Sequence, residues 1–160
     1  MSRLLQIRNR QRRRLIDARF LKAMLGEALA HELDVNAYEV CVHLVGATEM
    51  TRLNETFLQH AGSTDVITFN HREIPNETEL HGELFVCVDE AMARAPEFKS
   101  TWQAEILRYA VHGCLHLQGH DDHEPNDRRR MKREENRVLR ALGKRFAVAR
   151  IARNMRADHE

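Results

Sequence analysis

The chain is poor in cysteine and proline, and no long apolar run interrupts it. Its three cysteines (Cys41, Cys87 and Cys114) are far apart, odd in number and outside any Cys-x-x-Cys pair. That excludes a disulfide framework and points to buried free thiols in a reducing cytoplasm. With three prolines, no repeat and no low-complexity stretch, nothing splits the chain into separate units. The opening segment "MSRLLQIRNRQRRR" has charge without an apolar stretch behind it, so neither a secretory leader nor a membrane span is expected. We therefore expect a single domain over residues 1–143 followed by a basic C-terminal tail, 144–160.

What is present is ordinary for a globular domain: 42% apolar and 31% charged residues over 160 positions, enough for a core between two packed layers. The net charge of +1 conceals a strong segregation. Arginines crowd residues 1–14 with no acid among them, and residues 128–156 carry Lys and Arg against Glu134 and Glu135 alone. The intervening body is acidic. Basic ends around an acidic body suit a polyanionic partner, although a solvated helix face has the same composition.

The pattern reads as helices interspersed with about four strands, an α/β (α+β) fold with helices packed on a mixed sheet. "RLLQIRN" is a short first strand. Leu15, Ala18, Leu21, Leu25, Ala28 and Leu29 recur at helical spacing. Residues 38–45, 63–70 and 80–89 read as strands. Thr48 is the expected cap of a short helix, and Asp89 of another ending near Pro96. Ser100 with Gln103 has the form of a capping box opening a helix that Gly119 stops. A last helix is expected from Asp127 to Leu142.

The segment "HGCLHLQGHDD", 112–122, carries the chemistry. On a helix His112 and His116 share one face, about 5–6 Å apart at Cβ. Gly119 then lets the chain fold back, bringing Asp122 and His123 within reach. Two imidazoles with a carboxylate or third imidazole suit Zn²⁺ with one position open to water. Spacing from Gly119 favours Asp122 as the third ligand; His123 is the alternative, and the metal site sits at the end of the His-x-x-x-His helix. Metzincin peptidases use the same spacing but place a glutamate base directly after the first histidine. Gly113 stands there in this chain, which argues against peptide hydrolysis.

This stretch resembles the motif H-G-x-L-H-L-x-G-[YH]-D-H of the YbeY endoribonucleases, bacterial single-domain proteins implicated in rRNA maturation. "LNETFLQHAGSTDVITF", 53–69, and "GELFVCVDEA", 82–91, resemble two further blocks of that family, so the likeness spans roughly residues 40 to 142. It implies one zinc held by three ligands, a cleft over the sheet, and RNA as substrate. The family's third ligand, a histidine, falls on Asp122. Its arginine falls on Leu58, so another cation must take the phosphate: Arg52, Arg72 and Arg108 are candidates, with His60 as an alternative.

The expected function is therefore a zinc-dependent endoribonuclease that prefers single strands and acts in small-subunit rRNA 3′-end maturation. Its partners would be precursor rRNA and the small subunit or its assembly factors, in the cytoplasm and not at a membrane. The rival is a non-catalytic ribosome-associated factor with a structural zinc. Trp102 and Phe98 are expected to anchor a helix or stack bases, Thr64 and Asp65 to orient a histidine or cap a turn. Glu83 and Asp89 read as a strand-edge charge and a helix cap. Val148, Ile151 and Met155 make the tail a candidate amphipathic helix.

Overall fold

A computed structural model describes residues 2–153. Its elements follow the chain as β1 (Arg3–Asn9), α1 (Ala18–Glu27), β2 (Ala37–Val45), α2 (Ala47–Leu53), β3 (Val66–Asn70), β4 (Glu79–Cys87), α3 (Val88–Arg94), α4 (Trp102–Leu117) and α5 (Pro125–Arg145). Wider π-type turns, Ala28–Glu32 and Asn54–Leu58, extend α1 and α2, and a 3₁₀ turn, Val148–Ile151, closes the described chain. The sheet order is β1-β2-β4-β3, with β1, β2 and β4 parallel and β3 antiparallel to β4. This is the mixed α/β sheet expected from the sequence.

Alternation along the strands divides the protein into two apolar layers. Val40, Val42 and Leu44 of β2 and Leu80, Leu84 and Val86 of β4 face α1 and α4, where Leu21, Leu25, Ile106, Ala110 and Leu115 complete the main core. Fully burying one such leucine contributes about 1.5–3 kcal/mol. The opposite residues, Val45, Phe85, Cys87 and Ile67, pack with Met50 of α2 into a smaller cluster. Toward the other end of that face the strands present Glu39, Cys41, His43, His81 and Glu83.

Two glycines permit the close packing of α4 beneath the sheet. A Cβ on Gly113 would lie 2.6 Å from Leu84 Cδ2, and one on Gly82 would lie 2.5 Å from the Phe69 carbonyl oxygen and 2.6 Å from Leu117 Cδ2. The glycine that replaces a peptidase base thus also serves packing, because a Cβ there would displace the buried Leu84 side chain.

Several caps differ from expectation. Helix α2 starts at Ala47 behind Gly46, and the donor left free there is satisfied by Asp89 across the fold: Ala47 N–H donates to Asp89 Oδ2 at 2.6 Å. Thr48 is therefore inside the helix, and Asp89 caps α2 in place of its own helix, α3. Helix α4 is capped by Thr101, whose Oγ1 accepts from Ala104 N–H, and not by Ser100. A cap of this kind is worth about 1 kcal/mol. Strand β3 begins at Val66, later than expected, because Asp65 bends the chain by accepting from Val66 N–H. Helix α5 starts with Pro125 at its first turn and runs past Gly143 to Arg145.

Beyond Gly143 the described chain packs back on the body. Ile151 is fully buried, and Ile16 pairs with Ala152 in an isolated antiparallel bridge. Val148 packs against the main core, whereas Met155 lies outside the described residues. Among the described residues, no helix is long and apolar enough to cross a membrane.

Candidate metal centre

The centre is built on the last two turns of α4 and the loop that follows. Helical spacing brings His112 and His116 together, with Nε2 atoms 3.0 Å apart. Gly119 adopts φ +105°, a left-handed conformation that favours glycine, and the chain turns back so that His120 N–H donates to Leu115 O. Asp122 Oδ2 then lies 3.5 Å from His112 Nε2 and 3.3 Å from His116 Nε2. His123 does not join them: its side chain is 85% exposed and its Nε2 meets Asp121 at 3.4 Å.

The outer ring nitrogens explain why these atoms face inward as acceptors. His116 Nδ1–H donates to the His120 carbonyl at 3.0 Å, and His112 Nδ1–H donates to Glu135 Oε2 at 2.6 Å. Both protons held on Nδ1 leave both Nε2 lone pairs pointing at each other and at a carboxylate oxygen. Three converging acceptors repel unless a proton or a cation stands among them. Ligands 2.0–2.2 Å from one ion at tetrahedral angles are about 3.3–3.6 Å apart; both separations to Asp122 fall in that range, and the two Nε2 atoms, 3.0 Å apart, need only a small opening to admit a divalent cation.

Their surroundings shift the two imidazoles in opposite directions. Burial disfavours the charged form of His112, but the hydrogen bond and charge of Glu135 outweigh it and raise the pKa. At His116, burial and then the neighbouring His112 lower it.

Glu135 is the residue that sequence reasoning missed. It is 7% exposed, on α5, and its second oxygen accepts from Arg108 Nη1 at 3.0 Å. A signal existed: Met131, Glu135, Val138 and Leu142 form the buried stripe of α5, so an acid stands where the helix needs an apolar residue. The role considered for Thr64 and Asp65 belongs to Glu135, since Asp65 Oδ1 is occupied by Thr64 Oγ1 and Val66 N.

Beside the centre lies a cavity of about 640 Å³. His112, Asp122, Arg108 and Glu135 are in its wall, with the cations Arg94, Lys99, Arg128 and Lys132 and the acids Asp65 and Glu105. Phe98, 62% exposed, borders it and does not anchor the helix; Trp102 packs against the core. Of the cations considered for phosphate, only Arg108 is in this wall. Arg72 pairs with Glu79 at 3.3 Å and borders a different cavity. Arg52 is exposed on α2 and His60 is exposed beyond its π-type extension. Some of the segregated charge is used internally, in Arg10–Glu49, Arg13–Asp89, Arg137–Glu134 and Arg145–Glu27 pairs.

Comparison with known proteins gives this arrangement a family. A family model described as endoribonuclease YbeY matches residues 6–143. This chain belongs to the endoribonuclease YbeY family. A protein of that name from Chlorobium phaeovibrioides is 37% identical over 139 residues, covering 87% of this chain and 90% of the relative. One from Chlorobium luteolum is 36% identical over 138 residues, covering 86% and 97%. The solution structure of TM1509 from Thermotoga maritima superposes with a TM-score of 0.62 at 27% identity, covering 87% of this chain and 89% of that one.

Proposed function

We propose that this chain is a zinc-dependent endoribonuclease, preferring single-stranded RNA and acting in the cytoplasm on small-subunit precursor rRNA near its 3′ end, with the small subunit or its assembly factors as partners. The unit responsible is residues 1–143, with 144–160 a basic tail whose described part, as far as Arg153, packs back on it. One observation carries the reading: in a member of an endoribonuclease family, three acceptor atoms converge on one point at the wall of a cavity that five Lys and Arg residues line.

In this reading His112, His116 and Asp122 hold the ion, with His123 outside the ligand set. Zinc held there would supply Lewis acidity and would lower the pKa of water from its bulk value toward about 7. Glu135 keeps the His112 proton on Nδ1 and so keeps Nε2 available. Arg108, tied to the same carboxylate, is positioned one turn before His112 to meet a phosphate oxygen. Lys99, Arg128 and Lys132 neutralise flanking phosphates, so binding weakens steeply with salt. Phe98 offers a face on which an unpaired base can stack, worth about 1–3 kcal/mol. Arg52, His60 and Arg72 would meet only RNA that extends outside the cavity.

The experiment replaces His116 with Ala and measures zinc content together with cleavage of a small-subunit precursor RNA. The expected result is loss of both. Cleavage at the wild-type rate by zinc-free variant protein refutes the reading.

A second reading has one observation in its favour: Leu58 occupies the position at which the family resemblance implies an arginine. A non-catalytic ribosome-associated factor with a structural zinc would need no such cation. Chelation separates the two, because removing a structural ion lowers the melting temperature sharply, whereas an ion at the edge of a formed cavity leaves most of the fold intact.

A further inference from the structure

The sheet face turned away from α4 carries a second group of metal-ligating side chains, built from different elements. Cys41 and His43 are two apart on β2, so both point to that face, and Glu83 is the direct partner of Cys41 on β4. One ligand atom from each of the three lies within 4.8 Å of the others. Glu83 bridges two imidazoles, with His43 Nε2 at 2.9 Å from Oε1 and His71 Nε2 at 3.1 Å from Oε2. His81 stands behind His71, ring centroids 5.1 Å apart.

His43 is the least satisfied member. Its residue is 6% exposed, its ring lies flat on Phe85 with centroids 4.4 Å apart, and its Nδ1 is buried without a hydrogen-bond partner among the described residues. Neither tautomer resolves this. A proton on Nε2 leaves the Nδ1 lone pair bare in a dry environment; a proton on Nδ1 leaves a bare N–H and sets Nε2 against a carboxylate, a repulsion that a cation between the two would remove. Buried polar atoms of this kind are normally paired, and the exceptions ask for an explanation.

We propose that Cys41, His43 and Glu83, with His71 as fourth donor, form a second metal site that takes a borderline transition-metal ion of the Zn²⁺ class. The donor set decides the class. A thiolate with imidazoles favours zinc-like ions over magnesium or calcium, which need oxygen donors. Two donors are on adjacent central strands, so the framework is rigid; His71, immediately after β3, closes the site by a side-chain rotation. Arg8 on β1 lies next to the thiol and opposes a cation. Burial pushes the Cys41 thiol pKa up despite Arg8, so the thiolate forms only with the ion, and together with Glu83 it then exceeds the single Arg8 charge. On binding, the Cys41 S–H proton leaves to solvent and the sulfur lone pair takes its place on the ion. The site is independent of the His112–His116 centre, which contains no sulfur.

Cobalt(II) is the probe. The full chain is stripped of metal and titrated with Co²⁺, reading stoichiometry and the near-ultraviolet thiolate-to-cobalt charge-transfer band. The expected result is two ions per chain and a charge-transfer band that disappears in Cys41→Ser and weakens in His71→Ala. Both variants keep one ion at the other centre, and His116→Ala keeps the band while losing one ion. A wild-type chain that shows no sulfur band when saturated overturns the proposal, as does a band that survives Cys41→Ser. Circular dichroism of the metal-free variants establishes that the fold is retained.

Discussion

Replacing Glu135 with Gln tests the logic of the centre at the residue that holds it in place. The carboxylate is 7% exposed and accepts from two donors at once, His112 Nδ1–H at 2.6 Å and Arg108 at 3.0 Å. Glutamine is the same size but has one acceptor oxygen and one N–H₂. If the oxygen faces His112, the amide donors face the Arg108 guanidinium; if it faces Arg108, they face an imidazole proton. One contact becomes donor against donor in either orientation. The charge that stabilises His112 as a cation-binding imidazole is lost as well.

Loss of a carboxylate behind a metal-bound histidine weakens metal affinity about 10–100-fold, or roughly 1.4–2.7 kcal/mol. The cost to the fold is smaller than the 3–5 kcal/mol typical of breaking an enclosed ion pair, because Arg108 is 30% exposed and turns to water; about 1–2 kcal/mol is expected. Competition between the protein and a chromogenic zinc chelator reads the first quantity, and thermal unfolding of the metal-free chain reads the second. Glu134→Gln is the control, since Glu134 pairs with Arg137 on the surface. A Glu135→Gln chain that folds and holds zinc within twofold of wild type refutes the reasoning.

Gly113→Ala would place a Cβ 2.6 Å from the fully buried Leu84 side chain; overpacking costs about 1–3 kcal/mol and exceeds the roughly 1 kcal/mol of helix propensity gained, so the melting temperature falls. Gly143→Ala has open space around it within α5, and urea unfolding should show a gain of about 0.5–1 kcal/mol. Alkylation of the native metal-free chain should modify Cys41 first, because Cys87 and Cys114 are buried and burial pushes the Cys114 thiol pKa up to about 12; peptide mass spectrometry identifies the labelled sites, and early labelling of Cys114 refutes the packing of α4.

The parts of this fold legible in the sequence are those set by local periodicity. The alternation Tyr38, Val40, Val42, Leu44 marks β2, and the helical face of His112 and His116 with a glycine three residues on marks the end of α4. What escaped depends on partners distant in the chain. Asp89 caps a helix 42 residues before it, and Glu135 reaches a histidine 23 residues before it; neither contact leaves a short-range pattern. The choice between Asp122 and His123 depends on how the turn after Gly119 directs successive side chains, and spacing alone leaves both within reach. Phe98 and Trp102 are four apart, yet Phe98 is exposed and Trp102 partly buried against the core, because the chain between α3 and α4 is a loop and not a continuous helix.

The Leu58 position gains meaning from the same geometry. Leu58 ends the π-type extension of α2 and is 44% exposed, with Gln59 in a left-handed conformation immediately after it. A cation there would be carried by a mobile side chain on an irregular turn. Arg108 instead stands on the central helix, four residues before His112, with its guanidinium fixed by the carboxylate that also fixes His112. One buried acid therefore couples a candidate phosphate contact to a candidate ligand, so that displacing either disturbs the other. Arg108→Lys keeps the charge but loses the planar fork that reaches Glu135 and a second acceptor together. If Arg108 is the phosphate contact, this change should lower RNA affinity and leave zinc affinity within a few-fold. If Arg108 serves only to hold Glu135, zinc affinity falls and the salt dependence of RNA binding stays unchanged.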